Sequence, residues 1–249
     1  MAENYEEKNI ANGSNLDKLK DAYSESNIYH EENIMMLKYY AEKICNLQKG
    51  GTCLDLGLGH GVTPEYFGNT FDRHVIIEGS AEIIADFKNK NPDAKTEIRH
   101  SFFEDFETDE KFDVIIMGFI LEHVDDPLFI LNKFKKFLKP DGSMYIVVPN
   151  YEALNRLIGF EAGLTDRLHF LSDSDIALGH KRLFTVETLR EIINESGLKA
   201  DGIEGIFLKP ITTKQMESLN FSEKIFHALM KLGKNYPELS VAIFAHLKT

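Results

Sequence analysis

Between Thr52 and Asn150 the chain alternates buried strands with amphipathic helices, and this alternation constrains its fold more than any other feature. "TCLDLG" reads as a strand, "VTPEYFG" as the start of a helix and "RHVIIEG" as a strand. "SAEIIADFKNKN" reads as a helix with Ser80 at its N-cap, and "KTEIRH" as a short strand. "KFDVIIMGF" is a buried strand, and "DDPLFILNKFKKFL" is an amphipathic helix with Pro127 in its first turn. "KPDG" is a turn and "SMYIVVPN" a strand. Strands that alternate with helices pair in parallel, and the helices cover both faces of the sheet. Right-handed crossovers bring the strand C-termini to one edge, where such sheets bind ligands.

The pattern changes on both sides of this region. Residues 15–48 read as helix, with apolar residues at helical spacing in "NIMMLKYYAEKICNL", and Gly50 and Gly51 stop it. Residues 1–13 read as loosely ordered. After Pro149, residues 150–182 form a polar and aromatic segment too long for an ordinary connection. It directly follows a strand C-terminus, so it is expected to cap the ligand edge. Helix returns at "TVETLREIINESG", behind a capping signal. "GIEGIFLKP" and "SVAIFAHLKT" read as the last two strands, with helices between them. The expectation is one domain over 1–249. It has an N-terminal helical lid (1–48), a binding core (49–149), a cap after the fifth strand (150–182) and a completion of the sheet (183–249). The class is α/β: a doubly wound, seven-stranded, mostly parallel sheet with helices on both faces.

Composition narrows the partners. At 249 residues and 43% hydrophobic content the chain can bury a full core. Its net charge of −12 is the wrong sign for gripping a phosphate backbone, so the expected partner is a small molecule and not a nucleic acid. No apolar run approaches the ~20 residues that span a bilayer, so no membrane insertion is expected. The N-terminus "MAENYEEKNI" lacks the apolar stretch of a signal peptide. Two cysteines, Cys45 and Cys53, without metal-type spacing fit a reducing cytoplasm. Nothing in the pattern fixes an oligomeric state.

The glycine loop "LDLGLGHGVTPEYF" is the first chemical signal. Glycine permits the tight turn and close backbone approach, and a helix N-terminus with roughly half a positive charge follows. A dinucleotide fingerprint needs G-x-G-x-x-G, with its third glycine where Val62 stands; here Gly57, Gly59 and Gly61 are spaced G-x-G-x-G. Glu78 ends the next strand, where a carboxylate can accept both hydroxyls of a ribose.

Together "LDLGLGHG", "VIIEGS", "FDVIIMGFILEHVDDP", "LKPDGSMYIVVPN" and "GHKRLFTVETLREIINESGLK" resemble the successive motifs of class I S-adenosylmethionine-dependent methyltransferases. The nearest subgroup by look contains ubiquinone-type O-methyltransferases and sugar or small-molecule methyltransferases. The resemblance runs from about Tyr23 to Gly197 and implies a Rossmann-like fold. It implies that Asp55, Gly57, Gly59 and Gly61 surround the methionine part of S-adenosylmethionine. Glu78 would hold the ribose, with Gly79 and Ser80 beside it. Ser101, Phe102 and Phe103 would receive the adenine. Gly118 and Phe119 would lie near the sulfonium, and Tyr23 and Tyr29 would close over the cofactor. His60 and Leu58 depart from the family's usual loop residues, but the family uses backbone groups there.

Methyl transfer from a sulfonium needs alignment, a dry site and, for many acceptors, removal of a proton. A histidine suits that last task. His123 in "LEHVDD" and His180 in the cap are the candidate catalytic residues. Glu122, Asp125 and Asp126 match no common metal-ligand spacing, so no metal is expected. In the cap, Arg156, Arg167, His169 and Arg182 are candidates for binding a substrate carboxylate or phosphate. Lys209 in "GIFLKPITTKQ" is placed to reach the same edge, although a lysine so placed is more often only solvated. The expected activity is transfer of a methyl group from S-adenosylmethionine to an oxygen or nitrogen of a small anionic or sugar-type acceptor. The alternatives are a catalytically silent binding protein of the same fold and a nicotinamide-dependent oxidoreductase.

Overall fold

The computed structural model describes residues 30–249, so the first part of the expected lid, with Tyr23 and Tyr29, lies outside the described residues. Seven strands form one sheet: β1 (Thr52–Leu56), β2 (Arg73–Glu78), β3 (Thr96–His100), β4 (Phe112–Gly118), β5 (Leu138–Pro149), β6 (Lys199–Ile206) and β7 (Ala242–Lys248). Their spatial order is β3-β2-β1-β4-β5-β7-β6. β1 to β5 pair in parallel, and β7 runs antiparallel to both β5 and β6. β6 therefore points the same way as β5, and every strand except β7 ends on one edge. The order reverses between β1 and β4, which opens a crevice beyond their C-termini.

The helices are α1 (His30–Leu47), α2 (Thr63–Thr70), α3 (Ala81–Lys90), α4 (Pro127–Lys135), α5 (Leu154–Glu161), α6 (Asp173–Ala177), α7 (Val186–Glu195), α8 (Thr213–Ser218) and α9 (Glu223–Gly233). Side chains alternate across a strand, and β4 shows the result. Val114 and Ile116 pack with Tyr40 and Ile44 of α1 and Phe67 of α2. Ile115 and Met117 pack with Ile130 and Phe134 of α4 and Leu189 and Ile193 of α7. Each such fully buried apolar side chain contributes roughly 1.5–3 kcal/mol. Start signals are local: Ser80 accepts from the Ile83 amide, Asp126 from that of Phe129, and Thr185 forms a reciprocal box with Thr188.

Three details differ from the sequence pattern. "KPDG" is not a free turn: Leu138 pairs with Phe112, so the stretch is drawn into β5, with Asp141 at φ +63°. β6 starts at Lys199 and stops at Ile206, because Phe207 takes φ +65° and turns the chain out of the sheet. Lys209 is not solvated. It is buried with Glu32 from the first turn of α1, Nζ lying 2.7 and 2.9 Å from the two carboxylate oxygens, and Thr213 donates to the same carboxylate. This pair fixes α1 to the segment that leaves β6 at the ligand edge.

Residues 150–182 leave the C-terminus of β5 and carry α5 and α6. Asn150 roots them: its Nδ2 donates to the Glu238 and Ser240 carbonyls at 2.8 and 2.9 Å. Asn150 also bridges Phe184, where the chain returns to α7. α5 buries none of its side chains, so it lies on the outside of the segment.

Candidate active site

The glycine loop leaves β1 at the order reversal. Gly57, Gly59 and Gly61 take φ +83°, +48° and +70°, a left-handed region that side chains other than glycine's adopt at a cost. The Gly57 amide donates to the Ile77 carbonyl, and the Gly61 amide to that of Leu58. A Cβ on Gly59 would meet no atom within 4 Å, so the middle of the loop opens to free space. Below it, Asp55 is buried; its Oδ2 accepts from Thr63 Oγ1 at 3.3 Å and lies 3.7 Å from His74 Nε2. Burial raises the Asp55 pKa, against the opposing pull of His74 and Thr63.

Glu78 ends β2 beside the loop. Its Oε2 accepts the Leu58 amide at 2.9 Å and its Oε1 the Ser80 amide at 2.8 Å. One carboxylate thus braces the glycine loop and the N-terminus of α3, and each oxygen keeps lone pairs for further donors. Burial raises its pKa while these amides oppose. The Gly79 carbonyl accepts from His100 Nε2 at 3.0 Å. Ser101, which donates its amide to the Glu78 carbonyl, leads into Phe102 and Phe103 at the end of β3, all three half-buried. Phe103 and Ile120 are the side chains a Cβ on Gly57 would meet, at 4.0 and 3.0 Å. The loop after β3 and the loop after β4 therefore close on the same glycine turn.

β4 ends in Gly118 and Phe119. Phe119 holds φ +58°, a strained conformation for a large side chain, and its amide donates to the Val147 carbonyl. Gly118 has no room for a side chain, since its Cβ would lie 2.3 Å from the Tyr40 hydroxyl oxygen. Three residues on, Glu122, His123 and, from the cap, His180 each bring one ligand-type atom within 4.8 Å of the others. The His123 and His180 rings meet edge to face, centroids 4.9 Å apart.

The sequence profile of the methyltransferase-domain family matches residues 29–201. The chain belongs to this family, the class I S-adenosylmethionine-dependent methyltransferases. It is 27% identical over 143 residues to (S)-coclaurine N-methyltransferase of Papaver somniferum, over 55% of this chain and 40% of that one. It is 32% identical over 130 residues to a ubiquinone biosynthesis O-methyltransferase of Actinobacillus pleuropneumoniae serotype 7 (strain AP76), over 49% and 55%. The matches thus span about half the length of these two relatives. Among solved structures, N-methyltransferase NodS of Bradyrhizobium japonicum WM9, in complex with S-adenosyl-L-homocysteine, is similar in fold. Its TM-score is 0.56 at 13% identity, over 93% of this chain and 96% of that one.

In this methyltransferase-family chain the residues at the crevice fit a nucleoside bearing an amino-acid tail. Backbone and glycine line the turn, the Glu78 carboxylate stands beside it, and the half-buried Phe102 and Phe103 follow at the end of β3. The second half of the site is a buried acid–base cluster. Glu122 is fully buried, neither of its oxygens has a hydrogen-bond partner among the described residues, and burial raises its pKa to about 8. Burial thus favours its neutral form. His123 Nδ1 lies 3.3 Å from the Gly179 carbonyl, which can only accept, so Nδ1 carries the proton and Nε2 the lone pair. Burial, followed by His180, lowers the His123 pKa to about 4.

The structure does not gather the four cap residues into one anion pocket. The Arg156 guanidinium lies 4.4 Å from the Tyr151 ring centroid and donates to the Leu168 and Phe170 carbonyls. Arg182 Nη2 donates to the carbonyls of Val124 and Asp125, at 2.7 and 2.9 Å. Arg167 is exposed over Phe170, and His169 lies 3.5 Å from Glu152. Asp126 caps α4 and Asp125 pairs with Lys181, so neither joins the Glu122 cluster. Tyr40 and Tyr151 reach the site through tertiary contacts, while Asp175 bonds His180 five residues on. Sequence reasoning passed over all three, because none belongs to the motifs.

Proposed function

We propose that this chain transfers a methyl group from S-adenosylmethionine to an oxygen or nitrogen of a small acceptor. The observation that carries the reading is Glu78, whose single carboxylate holds the glycine loop and the start of α3 where a ribose would lie. Asp55, Gly57, Gly59 and Gly61 would surround the methionine part. Ser101, Phe102 and Phe103 would face the adenine, and Gly118 and Phe119 the sulfur. His123 and His180 would stand at the acceptor side and handle its proton. Bound S-adenosylmethionine supplies an activated methyl; the protein aligns it and keeps water out.

The curated relatives include an N-methyltransferase and O-methyltransferases, which supports either acceptor atom. For the acceptor class we propose an anionic or sugar-type small molecule, with Arg167 and His169 as exposed donors of the cap. Engagement of Arg156 by Tyr151 and Phe170 favours a packing role for that residue. The test is release of S-adenosylhomocysteine on a panel of catechols, amines, amino sugars, carboxylates and sugar phosphates. Turnover on at least one class is expected. Binding of S-adenosylhomocysteine with no turnover on any class would instead fit a silent member of the family.

A further inference from the structure

The cap brings a carboxylate–histidine pair to the cluster. Asp175 Oδ1 lies 3.2 Å from His180 Nδ1, and its Oδ2 accepts from the Ser172 amide at 2.9 Å and the Ser172 hydroxyl at 2.5 Å. The His180 amide donates to the Asp175 carbonyl at 2.9 Å, so the ring and its partner are tied twice within one turn. The Tyr151 hydroxyl is buried beside this carboxylate. An ionised carboxylate only accepts, so His180 Nδ1 carries the proton and Nε2 the lone pair. His123 offers a bare Nε2 as well, but its Nδ1 faces the Gly179 carbonyl, and the nearest carboxyl, Glu122, lies 4.0 Å from Nε2 with no hydrogen bond. Of the two, His180 is the one with a carboxylate hydrogen-bonded to its Nδ1, placed to stabilise an imidazolium.

We propose that His180 is the base that takes the acceptor's proton, and that Asp175 is the positioning residue that fixes its tautomer and stabilises its charged form. The proposal rests on the methyl-transfer reading. In the step, a lone pair of the acceptor oxygen or nitrogen bonds to the methyl carbon of the sulfonium donor. The carbon–sulfur pair leaves with sulfur as a neutral thioether, and the acceptor's proton passes to His180 Nε2. The positive charge thus moves from sulfur to the imidazole. Asp175 and Tyr151 face His180 from the cap, Glu122 and His123 from the loop after β4, and Lys181 follows in sequence. The base reaches the core only with the cap docked, which the Lys181 amide secures by donating to the Glu122 carbonyl at 2.8 Å.

The test is long-range proton–nitrogen NMR on histidine-labelled full-length protein treated with chelator, in the wild type, Asp175→Asn, Ser172→Ala and His123→Gln. His180 is expected to carry its proton on Nδ1 in the wild type, Ser172→Ala and His123→Gln. Asp175→Asn is expected to move the proton to Nε2. S-adenosylhomocysteine binding by calorimetry is expected to stay unchanged in Asp175→Asn, which also shows that the variant folds. On any acceptor that turns over, Asp175→Asn should lower kcat about 100-fold or more with KM little changed, and Asp175→Glu should restore part of it. A wild-type proton on Nε2, a tautomer unmoved in Asp175→Asn or an unchanged kcat would overturn the proposal. Failure of the wild type to bind S-adenosylhomocysteine would overturn the methyl-transfer reading and the base role with it, while leaving the Asp175–His180 hydrogen bond measured in its own right.

Discussion

Glu122 and His123 are neighbours in sequence whose burial acts in opposite directions on stability. The fold binds Glu122 in its neutral form, so its contribution is whole below the ordinary value of 4.5 and is lost as pH rises to about 8. The fold binds His123 neutral as well, so its contribution is whole above 6.5 and is lost as pH falls to about 4. Between 6.5 and 8 only Glu122 slopes, and stability should fall across that window by about 2 kcal/mol. Thermal melts should therefore drop from pH 6.5 to pH 8 in the wild type and flatten in Glu122→Gln. Equal pH slopes in the two proteins would contradict a buried neutral Glu122. Geometry alone does not make a catalytic group. Ser143, His246 and Asp201 are linked by contacts of 3.2 Å each, a hydrolytic-looking chain, yet Ser143 is fully buried inside the sheet and no substrate reaches it.

At the scale of elements, α1 is held at both the site and the sheet. The Glu32–Lys209 pair is buried, so Lys209→Met should strand the carboxylate and cost about 3–5 kcal/mol. The double variant Glu32→Gln/Lys209→Met should recover much of that in a denaturant titration. An unaffected single variant would mean the pair is not closed in solution. Gly118→Ala should push the Tyr40 hydroxyl away from the end of β4. The expected result is weakened S-adenosylhomocysteine binding, and a variant with wild-type affinity would show that Tyr40 yields freely. The strands and helix caps were legible because their signals are local: alternation in "DVIIMG", Ser80 before α3, Thr185 before α7. The departures at Leu138 and Phe207 were not, since one depends on pairing with Phe112 and the other on a single backbone torsion. The residues proposed for the cofactor could be named from sequence for the same reason, being strung along consecutive strand ends. The surroundings of His180 and Gly118 could not, because Tyr151 and Tyr40 meet them only through tertiary contacts and the Asp175–His180 bond depends on how the chain turns between them. Sequence also could not tell that Arg156 and Arg182 each turn Nη2 to two backbone carbonyls.

Over the whole molecule, the order β3-β2-β1-β4-β5-β7-β6 puts the glycine loop, Glu78 and the end of β4 around one crevice. The cap hangs from the neighbouring strand β5 and delivers His180 to the same edge. None of the described helices is long and apolar enough to cross a membrane. The net charge of −12 supports a small-molecule acceptor over a nucleic acid. These features converge on one claim: the crevice binds S-adenosylmethionine through a glycine turn braced by Glu78. The most direct measurement is calorimetric titration of wild type and Glu78→Ala with S-adenosylhomocysteine, with NAD as the control. The account predicts saturable binding of S-adenosylhomocysteine to the wild type, a loss of about 10-fold or more in Glu78→Ala, and no heat from NAD. Binding of NAD, or an affinity for S-adenosylhomocysteine that is absent in the wild type or unchanged in Glu78→Ala, would contradict it.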